Sequence, residues 1–463
     1  MRSKRQSLPY QTPSLEPCAV RPVTKQVSRR HASATFDRVE GVSLHDVARD
    51  HGTPVYVVSE QAMRESCRAL RKCFEKRYPD VVLAWSYKTH YLSAICQVFH
   101  GEGSWAEVVS GFEYDIAESL GVPGERTIFN GPHKTDTELA KAFARGSMVN
   151  LDSFAELDRV LALAKRMGRR LDVGIRLNVN LNYPPWDKFG FNVESGQAAE
   201  AARKANKSGL LRVNGLHMHL GTYITDPGIY ARGMEKMAEL AQELETRHGT
   251  PMEYFDVGGG FASTNTLHSQ FLKGEAANPT FEQYAEAVCA PLARRVPFLK
   301  GKPRLFVEAG RCLVDEAACL LTRVLSLKLL SNGIKAAIVD GGVNLLPTSY
   351  WYKHDIQALK DSPFGLEEYH VLGCLCMQID VIRNAVPLPP LSPGDLLVIR
   401  NVGAYNYSQS MTFIQPRPAW LLASNGRVDV IREGETSEWV RALDRIPARL
   451  APKPKRAAKA RRR

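Results

Sequence analysis

The feature that most constrains this fold is a regular alternation of apolar runs with segments of helical period. Eight runs are rich in β-branched and aromatic residues, as buried strands are; they lie near residues 81–88, 105–109, 127–130, 147–151, 172–178, 213–220, 253–258 and 304–309. The segments between them have helical periodicity, for example Asp152 to Met167. Eight strands alternating with helices predict a parallel (β/α)8 barrel of the TIM type, with a doubly wound sheet as the alternative.

Polar residues collect at the ends of these predicted strands. They are Lys88, Asn130, Arg176, His219, the run Gly258, Gly259 and Gly260, and Glu308. Barrel enzymes place their active sites at the C-terminal ends of the strands. The sequence therefore predicts that these residues share one site.

Lys88 closes the apolar run that begins at Val81. Burying an ammonium group is expensive unless its pKa falls or it is paired, so a lysine at this position suits Schiff-base chemistry, which needs the free amine. The alternative is a lysine whose side chain leaves the strand end for solvent.

Two further regions flank the predicted barrel. Ser43 to Gly52 predicts a capped helix, Pro54 to Val58 a strand, and residues 59–76 a helix. After residue 312 strands follow without regular helices, at Leu320–Leu330, Ala336–Asp340, Tyr369–Leu375 and Asp395–Asn401, which predicts a C-terminal antiparallel β-sheet or β-barrel domain. The expected division is a basic tail (1–35), a helix and strand joining the β domain (36–60), the barrel (61–312), the β domain (313–450) and a second basic tail (451–463).

Charge and cysteine content narrow the class of protein. Of the formal net charge of +12, most lies in the two ends: residues 1–30 hold seven Lys and Arg against one Glu, and residues 451–463 hold seven and no acid. Both ends read as disordered tails, and the near-neutral remainder argues against a nucleic-acid partner. No apolar run is long enough for a membrane helix or has the form of a secretory signal. The nine cysteines match no zinc site, so we expect reduced thiols and a cytoplasmic protein.

Two motifs indicate a phosphate-bearing carbonyl cofactor. The glycines of Asp256-Val-Gly-Gly-Gly-Phe261 allow backbone N–H groups to approach a phosphate closely, although such turns often only make tight connections. In Glu308-Ala309-Gly310-Arg311, a carboxylate facing a pyridine nitrogen would make the ring a stronger electron sink. The alternative for this motif is an internal salt bridge.

The segment His217-Met-His219-Leu-Gly-Thr222 ends another predicted strand. Alternation places both histidines on one side of that strand. No carboxylate stands nearby in sequence at the spacing of metal ligands, so no metal is expected. His219 could instead stack on a cofactor ring, with Thr222 donating to its phosphate.

Taken together, residues 40–425 resemble the pyridoxal-phosphate decarboxylases of the alanine-racemase fold, or fold type III, and in particular the diaminopimelate decarboxylases. The matching segments, in family order, are Trp85 to His90, Val108 to Glu113, Asn150 to Leu157, Lys188 to Phe191, His217 to Thr222, the triple glycine, Glu308 to Arg311, and Gly403 to Ser408. The Gly373-Cys374-Leu375-Cys376 segment stands where the family has a catalytic cysteine.

The resemblance implies the following roles. Pyridoxal 5′-phosphate would be bound by Lys88, Arg176, His219, Thr222, Gly258, Gly259, Gly260, Glu308, Ala309, Gly310, Arg311 and Tyr405. Lys88 would hold it covalently, His219 would stack on its ring and Glu308 would face its nitrogen. Cys376 would reprotonate the substrate across the interface of a homodimer with shared active sites. Substrate would be contacted by Arg311, Tyr350, Cys376, Met377 and Tyr405.

Two positions depart from the family pattern. Met377 replaces a glutamate that contacts the distal amino group of diaminopimelate, and Leu346 replaces an arginine that helps to hold the distal carboxylate. The expected function is therefore an amino-acid decarboxylase with an altered distal pocket, acting on a modified, small-molecule or carrier-linked amino acid. An amino-acid racemase of the same fold and a catalytically inactive, cofactor-binding partner protein are the alternatives.

Overall fold

The structure is a computed structural model that describes residues 36–181, 183, 186–300, 302–360 and 365–450. Both basic tails, expected to be disordered, lie outside the described residues. The strands are β1 (Arg38–Val39), β2 (Val42–Ser43), β3 (Val55–Ser59), β4 (Val81–Ser86), β5 (Trp105–Val108), β6 (Thr127–Phe129), β7 (Met148–Leu151), β8 (Leu171–Asn178), β9 (Phe191–Asn192), β10 (Leu211–Met218), β11 (Tyr254–Asp256), β12 (Arg304–Ala309), β13 (Ala318–Leu329), β14 (Lys335–Val339), β15 (Ile356–Ala358), β16 (Glu367–Leu372), β17 (Val381–Leu388), β18 (Leu396–Arg400), β19 (Trp420–Ser424) and β20 (Arg427–Arg432).

Several helices begin where the sequence supplies a side-chain cap. Ser43, Ser59, Ser110 and Ser153 each accept a hydrogen bond from a backbone N–H of the first helical turn. The helices are α1 (Leu44–His51), α2 (Glu60–Glu75), α3 (Ser93–Gly101), α4 (Gly111–Ser119), α5 (Asp136–Ala144), α6 (Phe154–Met167), α7 (Gln197–Lys207), α8 (Gly228–His248), α9 (Gly274–Ala277), α10 (Phe281–Arg295), α11 (Arg311–Val314) and α12 (Ser437–Val440). None of the helices in the described ranges is long and apolar enough to cross a membrane.

Eight parallel strands close into a barrel. Their order is β4-β5-β6-β7-β8-β10-β11-β12, and β12 pairs again with β4. This closure confirms the predicted (β/α)8 barrel and excludes the doubly wound sheet, whose edge strands stay unpaired. The helices between the strands pack their apolar faces against the barrel, as α6 does with Leu157, Val160 and Leu163.

The first barrel strand ends earlier than the apolar run predicts. β4 stops at Ser86, and Lys88 lies in a short 3₁₀ turn at Tyr87–Thr89. Pairing with β5 extends only as far as Ser86 opposite Glu107, so the backbone beyond it is free to turn. The lysine is therefore placed just above the strand end, not on the strand.

The C-terminal sheet is mostly antiparallel and is organised by β13. This twelve-residue strand pairs with β3, β14 and β18, all antiparallel. Two pairs differ from the prediction because they are parallel: β14 with β16, and β3 with β19. Strands β15, β17, β19 and β20 were not predicted; Pro387 within β17 and the exposed residues of β20 weaken their apolar signal.

A candidate active site at the mouth of the barrel

A cavity of about 670 Å³ opens at the C-terminal ends of the barrel strands. Its lining is Lys88, Glu107, Val109, Asn130, Gly131, Pro132, Arg176, Trp186, Phe189, His217, His219, Thr222, Glu308 and Tyr405. The barrel thus brings together seven predicted site residues from distant parts of the chain: Lys88, Asn130, Arg176, His219, Thr222, Glu308 and Tyr405.

Lys88 is half-buried and paired. Its Nζ donates to Glu107 Oε2 at 2.5 Å, and Ser86 Oγ donates to the same oxygen at 2.7 Å. Burial alone would lower the pKa of Lys88, but the negative charges of Glu107 and Glu308 outweigh burial and raise it. A lysine can be kept at this position by a lowered pKa or by pairing with an acid, and the structure shows pairing with Glu107.

Asn130 connects the two acidic residues of the cavity. Its Nδ2 donates to Glu107 Oε1 at 3.1 Å and to Glu308 Oε1 at 2.5 Å. The amide is oriented from behind, because Asn150 Nδ2 donates to Asn130 Oδ1 at 2.8 Å and Tyr254 Oη donates to Asn150 Oδ1 at 2.7 Å. This chain of hydrogen bonds fixes both carboxylates relative to each other.

Glu308 is fully buried between two histidines. Its carboxylate oxygens lie 3.5 Å from His217 Nε2 and 3.8 Å from His219 Nδ1. Although burial opposes ionisation, His217 and Lys88 hold the pKa of Glu308 well below its usual range. An ionised carboxylate is the form needed opposite a protonated pyridine nitrogen.

His219 is oriented by the glycine turn. The Gly259 N–H donates to His219 Nδ1 at 3.1 Å, so a neutral ring carries its proton on Nε2. Burial lowers the pKa of His219, which favours this neutral form. The ring therefore faces the cavity in a fixed tautomer.

The triple glycine leaves a space that side chains would fill. A Cβ on Gly259 would lie 2.2 Å from the backbone oxygen of Glu308, and Gly260 has φ +99° with Gly221 O only 2.4 Å from a Cβ position. Residues with a Cβ cannot adopt this turn without moving the strands. The turn therefore keeps its backbone close to His219, which lines the cavity.

Arg311 is a cation without an acidic partner among the described residues. Its guanidinium carbon lies 4.6 Å from the centre of the Tyr405 ring, and Nη2 donates weakly to Thr222 Oγ1 at 3.5 Å. Its buried Nη1 has no hydrogen-bond partner. Unsatisfied donors of this kind are suited to a phosphate group.

These observations fit pyridoxal phosphate. An amine for its aldehyde and an ionised carboxylate for its ring nitrogen line one cavity. Arg311 and the glycine turn do not line it themselves, but Arg311 contacts the lining residues Thr222 and Tyr405, and Gly259 contacts the lining residue His219. Ala309 and Gly310 connect Glu308 to Arg311 without lining the cavity; a Cβ on Gly310 would lie 2.1 Å from Thr89 Oγ1.

Of the residues predicted to contact substrate, Tyr405 lines this cavity, and three others are not brought to it. Cys376 is exposed, Met377 is half-buried and Tyr350 is 79% exposed, and none of the three lines the cavity of its own chain. The loop of Cys376 and Met377 is nonetheless held in place, because Asp380 accepts the backbone N–H groups of Val343 and Leu375, each at 2.8 Å.

Sequence reasoning missed several residues of the site. Glu107, Trp186, Phe189 and Asp256 were not predicted as site residues. Closure of the barrel also brings carboxylates from distant segments to the histidines, since side-chain atoms of His217, Asp256 and Glu308 all lie within 4.8 Å of one another. The available signal was a carboxylate inside an apolar strand, as in Glu107 of Trp105–Val108.

Comparison with known proteins agrees with this geometry. Residues 61–315 match the family model "Pyridoxal-dependent decarboxylase, pyridoxal binding domain". A diaminopimelate decarboxylase of Methanothermobacter thermautotrophicus is 30% identical over 422 residues, which cover 89% of this chain and 96% of the relative. The diaminopimelate decarboxylase of Bacillus subtilis is 29% identical and covers 88% and 94%. A crystal structure of the enzyme from M. jannaschii superimposes with a TM-score of 0.82 at 29% identity, covering 88% of this chain and 96% of that one.

Proposed function

The chain belongs to the pyridoxal-dependent decarboxylases, and we propose that it acts on an amino acid whose distal end is less charged than that of diaminopimelate. It is a carboxy-lyase that uses pyridoxal 5′-phosphate. The observation that supports the site is the cavity in which Lys88 and the ionised Glu308 meet, with Asn130 donating both to Glu308 and to Glu107, the partner of Lys88.

The residues of the cavity divide the work of holding the cofactor. When bound, pyridoxal phosphate accepts the electron pair of the breaking Cα–carboxylate bond into its ring. Lys88 Nζ must give up a proton before it can bind the cofactor's aldehyde carbon, and Glu107 Oε2 at 2.5 Å is the adjacent acceptor. Glu308 would keep the ring nitrogen of the cofactor protonated, and His219 would cover the ring.

The phosphate is proposed to lie between Arg311, Thr222 and the glycine turn. Arg311 supplies its unpartnered Nη1, and the turn supplies backbone free of Cβ groups, while the N–H groups of Gly258 and Gly259 donate to Asp256 Oδ1 and His219 Nδ1. Tyr405 holds the guanidinium from one side, with its own backbone at φ +65°. Arg176, paired with Asp152 at 3.4 Å, adds a positive charge at the cavity wall.

A second copy of the chain is proposed to complete the site. Cys376 is exposed and outside its own cavity, yet its loop is rigidly supported by Asp380. In the proposed homodimer the Cys376 thiol faces the partner's cavity and returns a proton to Cα after carbon dioxide leaves. Tyr350 and Met377 would reach the same cavity from the same side.

The proposed selectivity rests on Met377 and Leu346. Met377 follows Cys376 directly, and Leu346 is fully buried within the hydrophobic core. A site that leaves a buried charge unpaired discriminates against that charge by about 2–5 kcal/mol. We therefore expect a substrate whose distal end is apolar, modified or linked to a carrier.

Steady-state carbon dioxide release tests this proposal. The panel contains meso-diaminopimelate, lysine, ornithine, and amino acids with acylated or carrier-linked distal ends. Diaminopimelate should be a poor substrate, and Met377→Glu should raise its kcat/KM by about 10-fold, while the control Met377→Leu should not. Turnover of diaminopimelate by the unaltered protein at about 10⁴ M⁻¹s⁻¹ or more would contradict the proposed selectivity. Because Leu346 is completely buried, an arginine there would disturb folding, so the test uses Met377 alone.

A further inference from the structure

Asp256 is a buried carboxyl group to which the proposed chemistry assigns no role. It ends β11 directly beneath the glycine turn and has no exposed surface. Its Oδ1 accepts the Gly258 N–H at 2.9 Å, whereas its buried Oδ2 has no hydrogen-bond partner. An ionised carboxylate with one donor and no contact with water is unfavourable.

A second carboxylate lies close to it. Asp256, Glu308 and His217 present atoms that all lie within 4.8 Å of one another, and all three residues are buried. Two such carboxylates cannot both be ionised beside one histidine without a large cost, so the cluster must contain a proton or a cation.

The surroundings decide which carboxylate is neutral. Glu308 accepts from Asn130 at 2.5 Å and lies within 4 Å of two histidines, while Asp256 has one backbone donor. Burial and the charge of Glu308 raise the pKa of Asp256 well above its usual range. The groups that stabilise a negative charge therefore act on Glu308 more than on Asp256.

We propose that Asp256 carries a proton on Oδ2 and acts as a positioning residue that donates this proton to the carboxylate of Glu308. It keeps Glu308 ionised and aimed at the ring nitrogen of the cofactor; this consequence rests on the proposed function, whereas the proton itself does not.

The charges around Asp256 come from every neighbouring strand. They are Glu308 on β12, His217 on β10, Glu107 on β5, Arg176 on β8, and the phenol of Tyr254 on β11 itself. Arg176 is the nearest permanent cation among them, and Asp152 already pairs with it at 3.4 Å. It therefore does not replace the missing proton.

Infrared difference spectroscopy of the cofactor-free protein detects this proton directly. At about pH 8 the full-length protein should show the carbonyl stretch of a protonated carboxylic acid, and Asp256→Asn should lack it. Two other buried acids do not interfere, because the pKa of Glu113 is raised to about 7 and that of Asp315 to about 6. The control Glu113→Gln should keep the band.

Binding of pyridoxal phosphate supplies a second readout. Asparagine retains the Oδ1 acceptor and can place N–H donors where the Oδ2 proton stands, so Asp256→Asn should bind the cofactor within about 3-fold of the unaltered protein. Asp256→Ala removes the donor and should weaken binding by about 10-fold or more. If Asp256→Ala does not fold, Asp256→Ser takes its place in this binding measurement.

Three results would overturn the proposal: no carboxylic-acid band, equal weakening by asparagine and alanine, or a stoichiometric metal ion in the purified protein. A band that disappears in Asp256→Asn, in a protein that decarboxylates no member of the panel, would support the proton while removing the proposed function.

Discussion

The barrel mouth and the loop around Cys376 are built in opposite ways. At the barrel mouth charged groups pair with groups at the ends of neighbouring strands, as Lys88 does with Glu107 and Arg176 with Asp152, and Arg311 is the exception. The Cys376 loop is supported from beneath by Asp380, but its side chains face outward, with Ile379 71% exposed.

We expect from this difference that the barrel mouth binds the cofactor and that the Cys376 loop acts on the substrate. Parallel strands meeting in a closed barrel order their terminal side chains within one chain. The exposed Cys376 thiol and the exposed Ile379 side chain are not enclosed by other described residues of the same chain. The barrel mouth, the cofactor-binding half of the site, is thus expected to work within one chain. The Cys376 loop, the substrate-facing half, is expected to need a second copy of the chain.

The largest expected effect comes from the cofactor-binding half. Lys88→Ala should lower turnover by a factor on the order of 10³ or more, because the covalent link to the cofactor is lost. Borohydride reduction followed by peptide mapping should fix the cofactor to the Lys88 peptide in the unaltered protein and not in the variant.

The exposed Lys165 provides the matched control, since Lys165→Ala should retain both turnover and the labelled Lys88 peptide. If another lysine of the unaltered protein were labelled at equal yield, the cavity around Lys88 would not be the cofactor-binding site.

The barrel was predictable from sequence because its signal is local. The apolar runs of β8 and β12 coincide with the observed strands to within one residue, and Ser43 and Ser59 cap the predicted helices. Lys88 was placed on a strand because nothing in the local pattern shows where pairing with β5 stops.

The partners inside the site depend on contacts between distant segments. Glu107 and Asp256 each stand in an apolar run, and only closure of the barrel shows what they face. The parallel pairs β3 with β19 and β14 with β16 were missed for the same reason, since strand direction is set by the connections.

A smaller expected effect, also in the cofactor-binding half, tests how Glu107 sets the protonation of Lys88. Glu107 raises the pKa of Lys88, so at neutral pH the cofactor-free lysine is held as the ammonium. Glu107→Gln removes this charge and should move the pH dependence of cofactor attachment downward by about 1–2 pH units. Rates of borohydride-trapped attachment measured across pH give the midpoint.

Glu118→Gln is the control for this measurement, because Glu118 pairs with Lys141 and Arg145 on the surface and should not move the midpoint. An upward or absent shift in Glu107→Gln would show that the pair does not set the protonation of Lys88.

Subunit mixing tests the central claim, a site shared between two copies, most directly. Lys88→Ala and Cys376→Ala are each expected to be inactive, and heterodimers formed from them contain one intact site. An equal mixture that exchanges freely should recover about one quarter of the unaltered activity, since half of the dimers are mixed and each has one working site. A mixture of Lys88→Ala with the double variant Lys88→Ala, Cys376→Ala should stay inactive. If exchange is demonstrated by mass spectrometry and the first mixture also remains inactive, the proposal that Cys376 completes the partner's site is wrong.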